Sequence, residues 1–169
     1  MERQWNKDWR KSIIVLSGGF DPVHKGHLRM FREASWLGHQ VIVGLNSDDW
    51  LTRKKGKPFM PFEERKEILE GFKYINQVIP FDDSDDTACD LIRKVDDLYD
   101  ADLYDHNYSD ITHMGMVDYY QIYFANGGDR GKDNVPEVDV CKELDVVMLW
   151  GVGGGKIQSS SWLTGDKNE

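Results

Sequence analysis

Short apolar runs alternate along the chain with longer stretches that carry an apolar residue every third or fourth position. Ile13-Ile14-Val15-Leu16, within about 11–17, and the run 40–45 have the length and β-branching of buried strands. Between them Leu28, Met30, Phe31, Ala34 and Leu37 fall on one helical face, which predicts a helix over 26–37 with Gly38 at its C-cap. Strand, helix and strand in that order form a βαβ unit, so the sheet is expected to be parallel. The runs 76–81, 119–125 and 145–150 predict three more strands. A helix is expected from Pro61, with Glu63 and Glu64 in its first turn as the helix dipole prefers. Ala88, Leu91, Ile92, Val95 and Leu98 predict another, capped by Ser84 or Asp85 and running to about Tyr99. A short helix over 138–144 and a last one near Trp162 complete an α/β pattern.

Length and charge refine this picture. The chain has 169 residues, which suits a single domain over 1–169 with a polar N-terminal arm at 1–11 that carries Trp5 and Trp9. Net charge is −9, and eleven aspartates between Asp82 and Asp110, set against Arg93 and Lys94, account for all of it. That argues against a general nucleic-acid binder and leaves room for a basic site elsewhere. No apolar run reaches membrane-span length and the first residues do not read as a signal peptide, so a cytoplasmic location is expected. Cys89 and Cys141 form no metal-type pair and read as free thiols.

The candidate chemistry begins at Gly18-Gly19-Phe20-Asp21-Pro22-Val23-His24-Lys25-Gly26-His27. A glycine-rich turn from a strand into a helix points N–H groups and a helix dipole at one place, which suits a phosphate. His24 and His27, three apart at the helix start, can reach one group. The bland alternative is a tight turn with a capping histidine. A metal pair would need a third ligand, and none lies nearby in sequence. Two other segments follow strands in the position where α/β sheets bind ligands, 52–58 with its lysines and 126–137. Each also reads plainly, the first as a solvated charged face and the second as a turn. The end, Gly153-Gly154-Gly155-Lys156-Ile157-Gln158-Ser159-Ser160-Ser161, reads as a flexible tail or as a loop into a phosphate-facing helix start. Trp162 and Leu163 favour the loop.

GGFDPVHKGH resembles the G-x-F-D-x-x-H-x-G-H signature of the HxGH nucleotidyltransferases, in their cytidylyltransferase-like branch. Ser47-Asp48 with Leu51, Lys55-Gly56 with Pro58, and Glu64-Arg65 with Glu67-Ile68-Leu69 extend the likeness, as do Gly127-Gly128-Asp129 and Asn134 with Pro136-Glu137. The resemblance implies a Rossmann-like sheet of about five parallel strands in the order 3-2-1-4-5, with helices on both faces. It implies catalytic roles for His24, His27 and Lys57. Nucleotide contacts would come from Gly19, Phe20, Lys25 and Gly26 with both histidines, from Lys57 and Asp129, and from Lys156, Ile157, Gln158, Ser159 and Ser160. Asp21, Lys54, Lys55, Arg130 and Lys132 would face the second substrate, with the division among Lys54, Lys55 and Lys57 left open. Arg65 would brace the lysine segment or sit in a surface ion pair. The chain departs from the pattern at Gly153, where the family carries an arginine before the Ile-Ser element, and Lys156 is the expected substitute.

The implied reaction is attack of a phosphate monoester on the α-phosphorus of CTP, with Mg²⁺ accompanying the nucleotide and pyrophosphate leaving. ATP in place of CTP is the enzymatic alternative, and a non-catalytic nucleotide-binding or docking protein the alternative of another class. Asp100–Asp118 is read as an insertion that covers part of a homodimer contact, or else as a lid. Its His106 and His113 are read as surface groups before metal ligands.

Overall fold

The computed structural model describes residues 11–105, 120–127 and 135–165. Five strands, β1 (Lys11–Gly18), β2 (Gln40–Leu45), β3 (Gln77–Pro80), β4 (Tyr120–Gly127) and β5 (Val147–Val152), form one sheet in the order β3-β2-β1-β4-β5. All four pairings are parallel, and β1 is central, with Val15 beside Ile42 on one side and Phe124 on the other. The expected Rossmann-like order is therefore the observed one.

Alternation on β1 divides the core. Ile13 and Val15 point to one face, where they meet Leu91, Ile92 and Val95 of α4 (Cys89–Asp105) and Val140 of α5 (Glu137–Glu143). Ile14 and Leu16 point to the other, against Phe31 and Ala34 of α1 (Lys25–Leu37) and Leu69 of α3 (Phe62–Glu70). Each such side chain, fully buried, contributes about 1.5–3 kcal/mol. Leu28, Leu37 and Leu98, expected on core faces, are exposed instead. The glycine in the middle of β2 has a packing reason: a Cβ on Gly44 would lie 2.3 Å from the Leu91 side chain. Gly38 caps α1 with extended backbone (φ −139°), so it supplies room for Ile14 rather than a left-handed turn.

Two expectations are corrected. The basic segment after β2 is not a loop but a helix, α2 (Asp48–Lys55). Ser47 caps it, Asp48 and Asp49 occupy its first turn, Arg53, Lys54 and Lys55 its last, and Gly56 (φ 90°) ends it. The helix expected from Ser84 or Asp85 begins at Cys89 and runs past Tyr99 to Asp105. Residues 100–105 of the proposed insertion thus continue α4, and its remainder lies outside the described residues, as do the N-terminal arm, Asp129, Arg130 and Lys132. A final short helix, α6 (Ser160–Thr164), is capped by Ser159. The chain runs outward from β1 to β2 and β3, then crosses back to β4 on the other side of β1, so the crevice beyond Gly18 and Gly127 is the topological switch point.

Candidate active site

β1 delivers the chain to the crevice and Phe20 turns it. Phe20 is only 4% exposed and holds a left-handed φ of 47°, a conformation that is costly for a bulky residue. Its ring folds back over Gly18, where a Cβ would lie 2.9 Å away, and meets Phe31 and His27 at centroid distances of 5.3 and 4.9 Å. These contacts hold the strained residue in place.

His24 is the N-cap of α1. Its Nδ1 accepts hydrogen bonds from the Gly26 and His27 N–H groups at 3.1 and 3.4 Å. A nitrogen that accepts carries no proton, so the proton of neutral His24 sits on Nε2, facing away from the cap. The first-turn N–H groups expected to meet a phosphate are thus held by the imidazole, and the ring presents its own N–H in their stead. The His27 ring stacks on His24 at 3.7 Å. Burial lowers the pKa of His24, and burial together with the neighbouring His24 pushes His27 down to about 3. Both are uncharged at neutral pH and act through N–H groups and lone pairs.

The second side of the crevice comes from the glycine-rich segment after β5. Gly153 (φ 86°) lies so close to α1 that a Cβ would be 3.0 Å from Met30 Cα, and its N–H donates to Glu33 Oε2 at 2.8 Å. No side chain fits there, which gives the missing arginine a physical reason. Lys156 carries the nearby cation over the Trp162 ring at 4.9 Å. Ser160 Oγ donates to the Pro22 carbonyl at 2.8 Å and ties α6 to the turn before α1.

These elements enclose a cavity of about 320 Å³, within the range of small-molecule sites. Of the expected nucleotide contacts, Phe20, His24, Gly26, His27, Lys156, Ile157, Gln158, Ser159 and Ser160 line it. Gly19, Lys25 and Lys57 are not in its lining, and Lys25 and Lys57 are exposed. Sequence reasoning missed Met30, Asn126 and the Val152–Gly154 wall. An asparagine ending an otherwise apolar strand was the available signal for Asn126.

Asp21, Lys54 and Lys55 lie on the α2 side. Asp21 is 2% exposed, and its carboxylate accepts from the Phe59 and Met60 N–H groups at 2.6 and 2.7 Å and from Lys55 Nζ at 2.7 Å. Lys55 also donates to the Asp21 carbonyl, so it closes the turn, while Lys54 is exposed over Trp50. Arg65 is fully buried. It donates to the carbonyls of Met60, Gly19 and Asn46 and to Asp48 Oδ1, at 2.6–3.0 Å. It therefore braces the lysine segment and is no surface pair. Behind it Asp83, also buried, accepts from Asn46 Nδ2 and from both the N–H and the hydroxyl of Ser47.

Among the described residues no group of three His, Cys, Asp or Glu is placed to hold a metal ion, and no helix is long and apolar enough to cross a membrane. A model of the family described as cytidylyltransferase-like matches residues 15–145. The chain is 37% identical over 87 residues to the bifunctional protein HldE of Coxiella burnetii, covering 50% of this chain but only 18% of that protein. It is 30% identical over 86 residues to glycerol-3-phosphate cytidylyltransferase of Bacillus subtilis, covering 51% of this chain and 67% of that one. In fold it resembles a structure from Vibrio parahaemolyticus described as a putative nicotinate-nucleotide adenylyltransferase, with a TM-score of 0.55 and 15% identity over 92% of this chain and 85% of that one.

Proposed function

Because the chain belongs to the cytidylyltransferase-like family of nucleotidyltransferases, we propose that it transfers CMP from CTP to a small phosphate monoester, similar to glycerol 3-phosphate, with release of pyrophosphate. The observation that carries this reading is the convergence of His24, His27, Lys156, Ser159 and Ser160 on one cavity at the switch point. The choice of CTP rests on the likeness to the Bacillus subtilis enzyme.

In this reaction an oxygen of the monoester bonds to the α-phosphorus as the bond to the bridging oxygen of pyrophosphate breaks. The transfer is direct, so the protein's work is alignment and charge stabilisation. His24 donates from Nε2 to an α-phosphoryl oxygen, with the capped helix holding the ring in aim. His27, stacked behind it and kept neutral by burial, supplies the second ring nitrogen. Lys156 and the Ser159 hydroxyl face the triphosphate, while Ser160, whose hydroxyl donates to the Pro22 carbonyl, holds the segment in place. Lys54, exposed over the Trp50 ring, is assigned to the acceptor side with Arg130 and Lys132, while Lys57, exposed and outside the described cavity lining, keeps the triphosphate assignment of the resemblance. Lys55 orients the turn through Asp21. Mg²⁺ belongs to this proposal as the counter-ion of the triphosphate, where it supplies charge neutralisation. The described lining of the cavity has no carboxylate to hold it, so no step is routed through it. A cytoplasmic homodimer belongs to the same proposal.

The test is to incubate the protein with Mg²⁺, each nucleoside triphosphate and a panel of phosphate monoesters, and to follow pyrophosphate. Release with CTP and one acceptor class is expected. Release with ATP alone would move the chain to adenylyl transfer. No release with any pair would leave a non-catalytic binding protein.

A further inference from the structure

Two buried side-chain polar atoms lack a hydrogen-bond partner among the described residues, His27 Nδ1 and Asn126 Nδ2, and both residues line the same cavity. Asn126 is the stronger observation. It is 4% exposed, sits at the end of β4 and is paired in register with Trp150 of β5. Its next neighbour, Gly127, presses on α1, since a Cβ there would lie 2.6 Å from Met30 Sδ. The backbone of Asn126 is therefore held on both sides. A buried amide N–H with no acceptor destabilises a fold, and such groups are rare unless something else supplies the partner.

The lining of the cavity is divided by chemistry. The imidazoles, Lys156 and the serine hydroxyls come from the start of α1 and from residues 156–160. Around Asn126 the described wall is Ser17, Ala125, Gly127, Met30, Val152 and Gly153, none of which has a charged side chain. The first side suits phosphates. The second, mostly apolar with two uncharged polar side chains, Ser17 and Asn126, suits an uncharged ring or sugar.

From this division we propose that Asn126 is a substrate-orienting residue whose Nδ2 donates a hydrogen bond to an oxygen acceptor on the nucleoside half of the bound nucleotide. The inference rests on the nucleotidyl-transfer reading of the same cavity. The sequence marks 126–137 as a ligand segment, and this inference adds a role for the Asn126 side chain, which that reading leaves unassigned.

The experiment compares wild type with Asn126→Ala and Asn126→Leu, which removes the donor, adds no charge and nearly keeps the volume. Binding of CTP, ATP and inorganic triphosphate is measured by calorimetry, and the melting temperature of the free protein is recorded. Wild type should bind a nucleotide. Both variants should weaken that binding about tenfold or more, leave triphosphate binding within twofold, and melt no lower than wild type when free. Unchanged nucleotide affinity in Asn126→Ala overturns the inference, with the functional reading intact. A lower melting temperature with equal loss for triphosphate and nucleotide also overturns it, and shows a structural role. If wild type binds neither nucleotide, this inference and the functional reading fall together.

Discussion

Replacing Arg65 by Met keeps the length of the side chain and removes its charge and all four hydrogen bonds, to Met60, Gly19, Asn46 and Asp48. Asp48, whose side chain is 41% exposed, can be rehydrated in part. The Asn46 carbonyl is buried and has no such recourse. Losing one member of a buried ionic network of this kind costs about 3–5 kcal/mol, a large part of the roughly 5–15 kcal/mol that holds a domain together. In urea, with a slope near 2 kcal/mol/M, the midpoint should fall by about 1.5–2.5 M. Arg65→Lys, which reaches fewer acceptors from a point charge, should lie between. Combining Arg65→Met with Asp48→Asn should show a coupling of about 0.5–3 kcal/mol. Because Arg65 holds the Gly19 carbonyl at the mouth of the catalytic turn, kcat should fall in the folded fraction as well. A midpoint for Arg65→Met within about 0.3 M of wild type, on the same scale, would refute the bracket as a source of stability.

His24 can be divided into its two roles: Asn keeps an N-cap and lacks the imidazole, so His24→Asn should hold stability within about 0.5 kcal/mol while kcat drops by about 10²; equal stability losses in His24→Asn and His24→Ala, which loses about 1 kcal/mol of capping, would show that capping is not its structural role. The pKa of His27 near 3 lies below that of an unfolded histidine, so the unfolded chain binds the extra proton between about pH 6.5 and 3. Stability is then fully present above about pH 6.5 and lost as the pH falls toward 3, by at most about 4–5 kcal/mol. Urea titrations of wild type and His27→Phe at pH 7 and pH 4.5 should show a smaller acid loss in the variant, and parallel losses would refute the assignment. Lys55→Met leaves the buried Asp21 carboxylate without its cation and should cost about 2 kcal/mol, whereas Lys54→Ala should leave stability within about 0.5 kcal/mol and raise the KM of the phosphate acceptor. Identical effects of the two lysine variants would remove that division of roles.

The strands were legible because each is built on a short apolar run and the helices between them carry helical spacing, whereas the sheet order came from the resemblance to the nucleotidyltransferase family and not from the pattern. α2 is also encoded locally, since Ser47, Asp48 and Asp49 at one end and Arg53, Lys54, Lys55 and Gly56 at the other are ordinary start and stop signals, though the same lysines also read as a solvated charged face. The start of α4 was not legible. Asp85 Oδ1 accepts from the Thr87 N–H and hydroxyl, and Asp86 takes a φ of 63°, so these polar residues hold a turn of their own. The Ala88 N–H is satisfied by Glu137, 49 residues away, which no local pattern announces. In the site, the histidines and the serine segment were found where expected. Asn126 and the close approach of Gly153 to Met30 depend on how three elements meet, and composition does not encode that.

The ties from Asp21 to Phe59, Met60 and Lys55, and from Arg65 to Gly19 and Asn46, also bear on how the protein can be re-engineered. The catalytic turn at 18–24 and the segment 46–65 are not interchangeable cassettes. A chimera that imports the lysine segment of a relative brings new partners for the Asp21 carboxylate and for the Gly19 and Asp21 carbonyls, which the host turn has already positioned. Such grafts should succeed only when both segments are exchanged together, so under the proposed function acceptor preference would travel in this scaffold as a two-segment unit.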